Sequence, residues 1–150
     1  MDYQIVPMAP CHVAGVAELE QICFSDPWCA EAVASELDNP LSLWLVAVAG
    51  DAVIGYVGSQ SVLGEADMMN LAVSPAHRRG GVAKTLLQAL EQALQENQVY
   101  CLSLEVRQSN EPARTLYTTC GYEQVGLRPN YYRHPRENAL ILKKQWSVDV

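Results

Sequence analysis

Between Gly80 and Asn97 apolar residues recur at helical spacing, as Val82, Leu86, Ala89, Leu90, Ala93 and Leu94, and a β-rich run flanks this helix on each side. The first run, Asp67 to Val73, stops at Ser74-Pro75; in the second, Val99 to Arg107, Leu102, Leu104 and Val106 alternate with Cys101, Ser103 and Glu105. A strand–helix–strand core of this kind confines the chain to layered α/β architectures. Asn110 then caps a second helix, with Ala113, Leu116, Tyr117 and Cys120 on its apolar face and Gly121 at its end. Tyr122 to Leu127 and Ala139 to Leu142 read as closing strands.

The first half is built from hairpins instead. Tyr3 to Val6 is a short strand, and Pro10 to Ile22 is an amphipathic helix carrying Val13, Val16, Ala17 and Leu19 on its apolar side. Phe24 to Trp28 breaks that helix, and Cys29 to Leu37 forms another, ended by Asn39-Pro40. Leu41 to Ala49 and Ala52 to Val62 are strands around Gly50-Asp51, a pair able to supply the positive φ of a tight turn. The expectation is an α/β (α+β) fold in which a mixed sheet is flanked by helices.

With 150 residues, 49% of them hydrophobic and 18% charged, the chain suits one globular domain over 1–150 and not a disordered tail. Its net charge of −7 is unevenly distributed: no Lys or Arg precedes Arg78, so residues 1–77 hold only acids, and every base lies in residues 78–150. That split argues against a nucleic-acid binder and suggests two partners of opposite sign, although a solvated acidic face explains it equally. The apolar stretch Leu43 to Gly50 is far short of the ~20 residues that span a bilayer, and Met1-Asp2-Tyr3 lacks a basic leader, so a cytoplasmic protein without membrane contact is expected. Five cysteines without a CxxC pair, and no histidine at ligand spacing, fit buried free thiols better than a disulfide framework or a zinc site, and no metal is expected.

The segment Asn70 to Lys84 carries the strongest chemical signal. Arg78, Arg79, Gly80, Gly81 and Lys84 sit where a strand passes into a helix. Glycines let backbone N–H groups converge on an anion, and a helix N-terminus adds about half a positive charge. The spacing is neither a Walker loop nor the GxGxxG of a dinucleotide fold. Alone, it fits a phosphate cradle and a solvated Gly-rich helix start equally well.

Arg78-x-x-Gly81-x-Ala83 after a strand resembles the [Q/R]xxGx[G/A] signature of the GNAT superfamily of N-acetyltransferases. Leu104-Glu105-Val106-Arg107-Gln108-Ser109-Asn110, followed by Leu116-Tyr117 and Cys120-Gly121-Tyr122, resembles the ribosomal-protein-alanine N-acetyltransferases within it. Asp26-Pro27-Trp28, Glu65-Ala66 before Asn70-Leu71-Ala72-Val73, and Asn130-Tyr131-Tyr132 extend the resemblance over nearly the whole chain. It implies a GNAT fold whose central strands splay apart, with acetyl-CoA as cosubstrate. Its pyrophosphate would be held by Arg78, Arg79, Gly80, Gly81, Val82, Ala83 and Lys84, its pantetheine arm by the strand Leu71, Ala72 and Val73, with a further contact from Asn110. It also implies an acceptor that is the basic N-terminal peptide of a ribosomal protein, small-subunit protein eighteen, acetylated on its N-terminal alanine by a chain acting as a monomer or weak dimer. A small-amine acetyltransferase and a non-catalytic acyl-CoA-binding module are the alternatives.

Direct acyl transfer to an amine needs a base for the amine, an oxyanion donor, and a proton for the departing thiolate. Glu105, on the strand face shared with Ser103, reads from its position narrowly as a surface carboxylate paired with Arg107, with a partly desolvated base as the alternative, and the resemblance makes it the base. Tyr117 reads from its helix position as a core tyrosine, and the resemblance makes it the acid for the thiolate. A backbone N–H of the Leu71–Val73 strand would meet the oxyanion. Asp26, Glu31, Glu36, Asp38, Glu65 and Asp67 could receive a cationic peptide, with Trp28, Tyr131 and Tyr132 as groove walls. Cys120, on an apolar helix face with no paired histidine, is expected to be inert.

Overall fold

The computed structural model describes residues 2–148; Met1 of the N-terminal reading, Asp149 and Val150 lie outside the described residues. The elements run β1 (Gln4–Pro7), α1 (Val13–Cys23), α2 (Ala30–Ser35), β2 (Ser42–Ala49), β3 (Ala52–Val62), β4 (Glu65–Val73), α3 (Val82–Glu96), β5 (Cys101–Arg107), α4 (Glu111–Thr119), β6 (Glu123–Arg133) and β7 (Arg136–Gln145). Seven strands form one sheet in the order β1-β2-β3-β4-β5-β7-β6. All neighbours are antiparallel except β4 and β5, which the α3 crossover makes parallel.

Two apolar layers sandwich the sheet. On the back face Leu86, Leu87, Leu90 and Leu94 of α3 and Tyr117 of α4 pack on Leu45, Val57, Leu102, Leu104, Val106 and Leu140. On the front face Val16 and Leu19 of α1 and Val33 of α2 pack on Trp44, Val46, Tyr56 and Ala72. The expected elements are present with shifted ends. Pro10–His12 forms a 3-10 turn, so α1 starts at Val13, with His12 Nδ1 accepting from the Ala9 N–H at 2.9 Å. β4 starts at Glu65, after a tight turn in which Leu63 and Gly64 both take positive φ. β6 and β7 are longer than their sequence pattern indicates and meet at His134-Pro135. The cysteines are free, as expected, but only Cys101 is buried; Cys11 and Cys29 are exposed.

Two irregularities at the sheet centre position everything that follows. Gly58 faces Asn70 and Ser59 faces Met68, leaving Met69 as an extra residue on β4. This bulge reverses the side-chain alternation, so Ala66 and Met68 before it and Leu71 and Val73 beyond it all point to the back layer. Secondly, β4 and β5 pair only at Glu65↔Cys101, Ala66↔Leu102 and Asp67↔Ser103. Beyond Asp67 they diverge, and a cleft opens between the ends of the two central strands.

Glu20 of α1 ties the front layer to this bulge. The side chain is fully buried, and it accepts hydrogen bonds from the Tyr56 hydroxyl, the Trp28 backbone N–H (2.8 Å) and Asn70 Nδ2 (2.9 Å). One carboxylate thus links β3, β4 and the segment between α1 and α2. Trp28 in turn packs on Trp44 at 5.4 Å, and Trp44 stacks on Tyr56 at 5.9 Å. Gly58 makes room for this column, since a Cβ there would lie 2.3 Å from the Trp44 ring.

Gly58→Ala should therefore displace Trp44 and destabilise the fold by about 1–3 kcal/mol in urea unfolding, the usual cost of overpacking; a variant as stable as the parent contradicts this packing. Burial raises the Glu20 pKa above 4.5, outweighing the hydrogen bonds from Trp28 and Asn70, which lower it. A raised folded pKa favours the native state below the unfolded value, and that advantage is lost as pH climbs through the folded value. Glu20→Gln should accordingly flatten the fall in stability just above pH 4.5, measured by denaturation across a pH series; an unchanged slope contradicts the assignment.

Candidate active site

The cleft exposes backbone groups that a closed sheet would use. The Ser74 N–H donates to Ile54 on β3 at 2.8 Å, and strand alternation gives Ala72 and Asn70 the same direction. The N–H and C=O groups of Leu71 and Val73 therefore face the cleft, whereas Ala72 uses its own in the β3 ladder. The Val73 carbonyl accepts from Arg78 Nε at 3.3 Å. Arg78 also donates to Cys23 Sγ at 3.6 Å, which folds its guanidinium back over the end of β4.

From Val73 the chain passes through a 3-10 turn at Pro75–His77 into α3. Arg79 and Gly81 adopt positive φ (69° and 81°), and α3 begins without a side-chain cap. Its first internal hydrogen bond runs from the Thr85 N–H to Gly81. The N–H groups of Val82, Ala83 and Lys84 thus have no helical partner and point out of the helix start. Nothing lies within 4 Å of where a Gly81 Cβ would stand, so glycine is needed there for its backbone and not for space. A hollow of about 210 Å³ lined by Tyr3, Ala76, His77, Arg78, Gly80 and Val82 adjoins the loop. Free amides at a helix start suit an anion such as a pyrophosphate, whereas the Arg78 guanidinium is turned toward Val73 and Cys23. Val82 contributes only backbone, because its side chain is buried in the back layer.

Glu105 lies on the front face of β5 with Ser103, beside the cleft, and its side chain is 30% exposed. Its Oε2 stands 3.0 Å from Arg128 Nε of β6, an ion pair lacking hydrogen-bond alignment. The expected partner, Arg107, instead turns to Glu137 at 3.4 Å. Tyr117 approaches from the opposite face. It is 5% exposed among Leu104, Val106 and Leu140. The end of α4 locks it there: the Tyr122 N–H returns to the Tyr117 carbonyl and the Gly121 N–H to Thr118, with Gly121 at φ 96°. This is a Schellman turn, and its usual apolar contact is the edge-on Tyr117–Tyr122 pair at 5.8 Å. Burial, more than the nearby Tyr132 and Cys120, drives the Tyr117 pKa far above that of a free phenol, so its proton is retained near neutral pH.

Tyr132, expected as a groove wall, comes close to Glu105. Burial first and the Glu105 charge next push its pKa up to about 12, with the Arg107 guanidinium opposing. Asn110 caps α4 through Oδ1, which accepts from the Ala113 N–H at 3.2 Å and leaves Nδ2 as its group for a ligand. The acids of the first half do not act as one surface. Glu36 is buried and occupied by Gln60 (2.7 Å) and Asn39 (3.3 Å), so it is withdrawn from the peptide-facing set. Asp67 lies on the front face opposite Ser103, and Asp26 reaches to 3.9 Å from His134 of the β6–β7 turn. Arg128 and Glu20 carried no distinguishing signal in the sequence, since each is placed by a strand register or a helix packing formed over long range. Among the described residues no helix is long and apolar enough to cross a membrane.

Residues 13–122 match the acetyltransferase (GNAT) family. The chain is 40% identical over 128 residues to the [ribosomal protein bS18]-alanine N-acetyltransferase of Haemophilus ducreyi, covering 83% of this chain and 88% of that protein. It is 33% identical over 126 residues to the enzyme of that name from Escherichia coli, covering 83% and 84%. The crystal structure of the ribosomal-protein-S18-alanine N-acetyltransferase from Escherichia coli superposes with a TM-score of 0.90 at 29% identity, covering 99% of this chain and 97% of that one. The splayed strands, the glycine-arginine helix start and these matches lead to one conclusion: the chain belongs to the GNAT family of acetyl-CoA-dependent N-acetyltransferases.

Proposed function

We propose that this chain acetylates a protein N-terminal α-amine, the N-terminal alanine of ribosomal protein bS18, by direct transfer from acetyl-CoA in a ternary complex. The placement of Glu105 and Tyr117 on opposite faces of the sheet, beside the β4–β5 cleft, is the observation that carries it. In this reading the pyrophosphate rests on Arg78, Arg79 and the N–H groups from Gly80 to Lys84. The pantetheine arm pairs with Leu71 and Val73, and Asn110 Nδ2 adds a contact. The thioester then lies in the cleft with its carbonyl toward a β4 N–H.

An α-amine has a pKa of about 7.7–8.0 and arrives largely protonated near neutral pH. Glu105 takes its proton, directly or through a water, and the neutral nitrogen attacks the thioester carbon from the front. As the tetrahedral intermediate collapses, its nitrogen gives up the second proton to water, the C–N bond is kept and the C–S bond breaks. The thiolate leaves toward the back face, where the Tyr117 hydroxyl supplies a proton. The high pKa of that phenol keeps the proton available. Trp28, Tyr131 and Tyr132 wall the peptide, and Asp26 and Asp67 favour its basic residues. Residues 1–150 act as one cytoplasmic catalytic domain, as a monomer or weak dimer, without a metal.

Purified protein, acetyl-CoA and a panel of peptides differing in N-terminus should give a single added acetyl group by intact mass, fastest on an Ala-led basic peptide; no addition across the panel sinks the activity. Glu105→Gln should slow turnover most at acidic pH and progressively less as the amine deprotonates unaided, and a pH-independent loss removes Glu105 as the base. Tyr117→Phe should lower kcat by roughly 10²-fold, a typical general-acid contribution, with acetyl-CoA affinity retained in calorimetry; an unchanged kcat contradicts the role.

A further inference from the structure

The outer half of the β6–β7 hairpin is poorly held by its own ladder. After a one-residue shift at Val125, pairing runs from Gly126↔Ile141 to Arg128↔Ala139 and resumes only at Tyr132↔Glu137, so Pro129, Asn130 and Tyr131 together face Asn138 alone. Asn130 takes a positive φ of 53° within this bulge. Only two residue pairs lie beyond it before the His134-Pro135 turn. A segment with so few ladder bonds needs fixing from outside.

We infer that Arg107 is the positioning residue that fixes it, holding the hairpin and its Tyr132 in register with the end of β5 so that the acceptor meets Glu105. Its Nη1 donates to the Pro135 carbonyl at 2.8 Å, and its Nη2 to the His134 carbonyl at 3.2 Å. The same Nη1 meets Glu137 Oε1 at 3.4 Å, and the guanidinium lies 4.3 Å from the centre of the Tyr132 ring. One planar group therefore grips both carbonyls of the turn, the carboxylate that follows it and the aromatic that precedes it. Glu137 extends the link by accepting from the Ser109 N–H at the entrance to α4. Asn138 completes it: its backbone carbonyl accepts from the Gln108 N–H (3.1 Å), its Nδ2 donates to Gln108 Oε1 (3.1 Å), and its Oδ1 accepts from the Asn130 N–H (3.0 Å).

The chemistry of the contact requires arginine. Two carbonyls and a ring are met by a flat fork of donors, whereas a lysine ammonium is a point charge that cannot satisfy both carbonyls and stack at once. Arg107→Lys keeps the charge and loses the grip. The inference rests on the proposed peptide acetylation for its kinetic readout, and it has a second readout that does not.

The test uses the full chain with Arg107→Lys and, as a milder cut, Glu137→Gln, which leaves both carbonyl bonds in place. Arg107→Lys should raise the KM for the acceptor peptide about tenfold, the scale of one lost charge-assisted hydrogen bond. The kcat at saturating peptide and the acetyl-CoA affinity by calorimetry should stay within about twofold, and Glu137→Gln should have the smaller effect on acceptor KM. In hydrogen exchange, Arg107→Lys should speed the amides of residues 130–137 while those of β2 and β3 keep their rates. Unchanged acceptor KM with unchanged exchange overturns the inference, and so does an equal loss of acceptor and acetyl-CoA affinity with faster exchange throughout the sheet. If the parent protein acetylates no peptide, the activity reading fails alone, and exchange in residues 130–137 still decides the role of Arg107.

Discussion

The parting of β4 from β5 after Asp67↔Ser103 is the constraint on which the rest of the molecule depends. In a continuous parallel pair, Leu71 and Val73 would spend their N–H and C=O groups on β5. Here the Met69 bulge turns β4 away, so the Leu71 groups and the Val73 N–H stay available between two packed layers, while the Val73 carbonyl is held by Arg78. Unpaired backbone groups in a sheet interior need a partner, and an amide-bearing chain such as pantetheine offers one along its length. In the proposed reading, binding of the cosubstrate there offsets the cost of leaving the sheet open. The strand end leads through the Pro75–His77 turn to the free amides at the start of α3, so the two proposed contacts with the donor adjoin one another.

The cleft further separates the two groups proposed to move protons. Glu105 is on the front face, partly exposed and beside Arg128, where a charged amine can arrive from water. Tyr117 is on the back face, dry and locked by the Schellman turn of α4, where a phenol keeps its proton. A sheet keeps such groups apart because alternate side chains on one strand point to opposite sides. The two need no contact with each other, only with the ligand between them.

The charge asymmetry of the sequence looks different in space. Read along the chain, acids fill the first half and bases the second. In the structure β6 and β7 bring Arg128, Arg107 and Glu137 onto the same front face as Asp67 and Glu105, while Glu20 and Glu36 are buried. The front face of β5–β7 therefore carries paired charges of both signs. What did come through from sequence was local: the helix spacing of α3, the Asn110 cap, the Gly121 terminus and the glycine-arginine loop. The bulge was written in the shift of apolar parity between Ala66, Met68 and Leu71, Val73, but only a known back layer makes that shift readable. The choice of Glu137 over Glu105 by Arg107 depends on the β5–β7 register, and the burial of Glu20 on the packing of α1 against β3 and β4. Neither follows from neighbours in sequence.

The open cleft is tested most directly by the exchange rates of individual backbone amides with and without coenzyme A. If the divergent strands form the donor seat, Leu71, Val73 and the amides from Gly80 to Lys84 will slow on binding, and the β2–β3 ladder will not change. Coenzyme A that binds while the Leu71 and Val73 amides keep their rates would contradict the account.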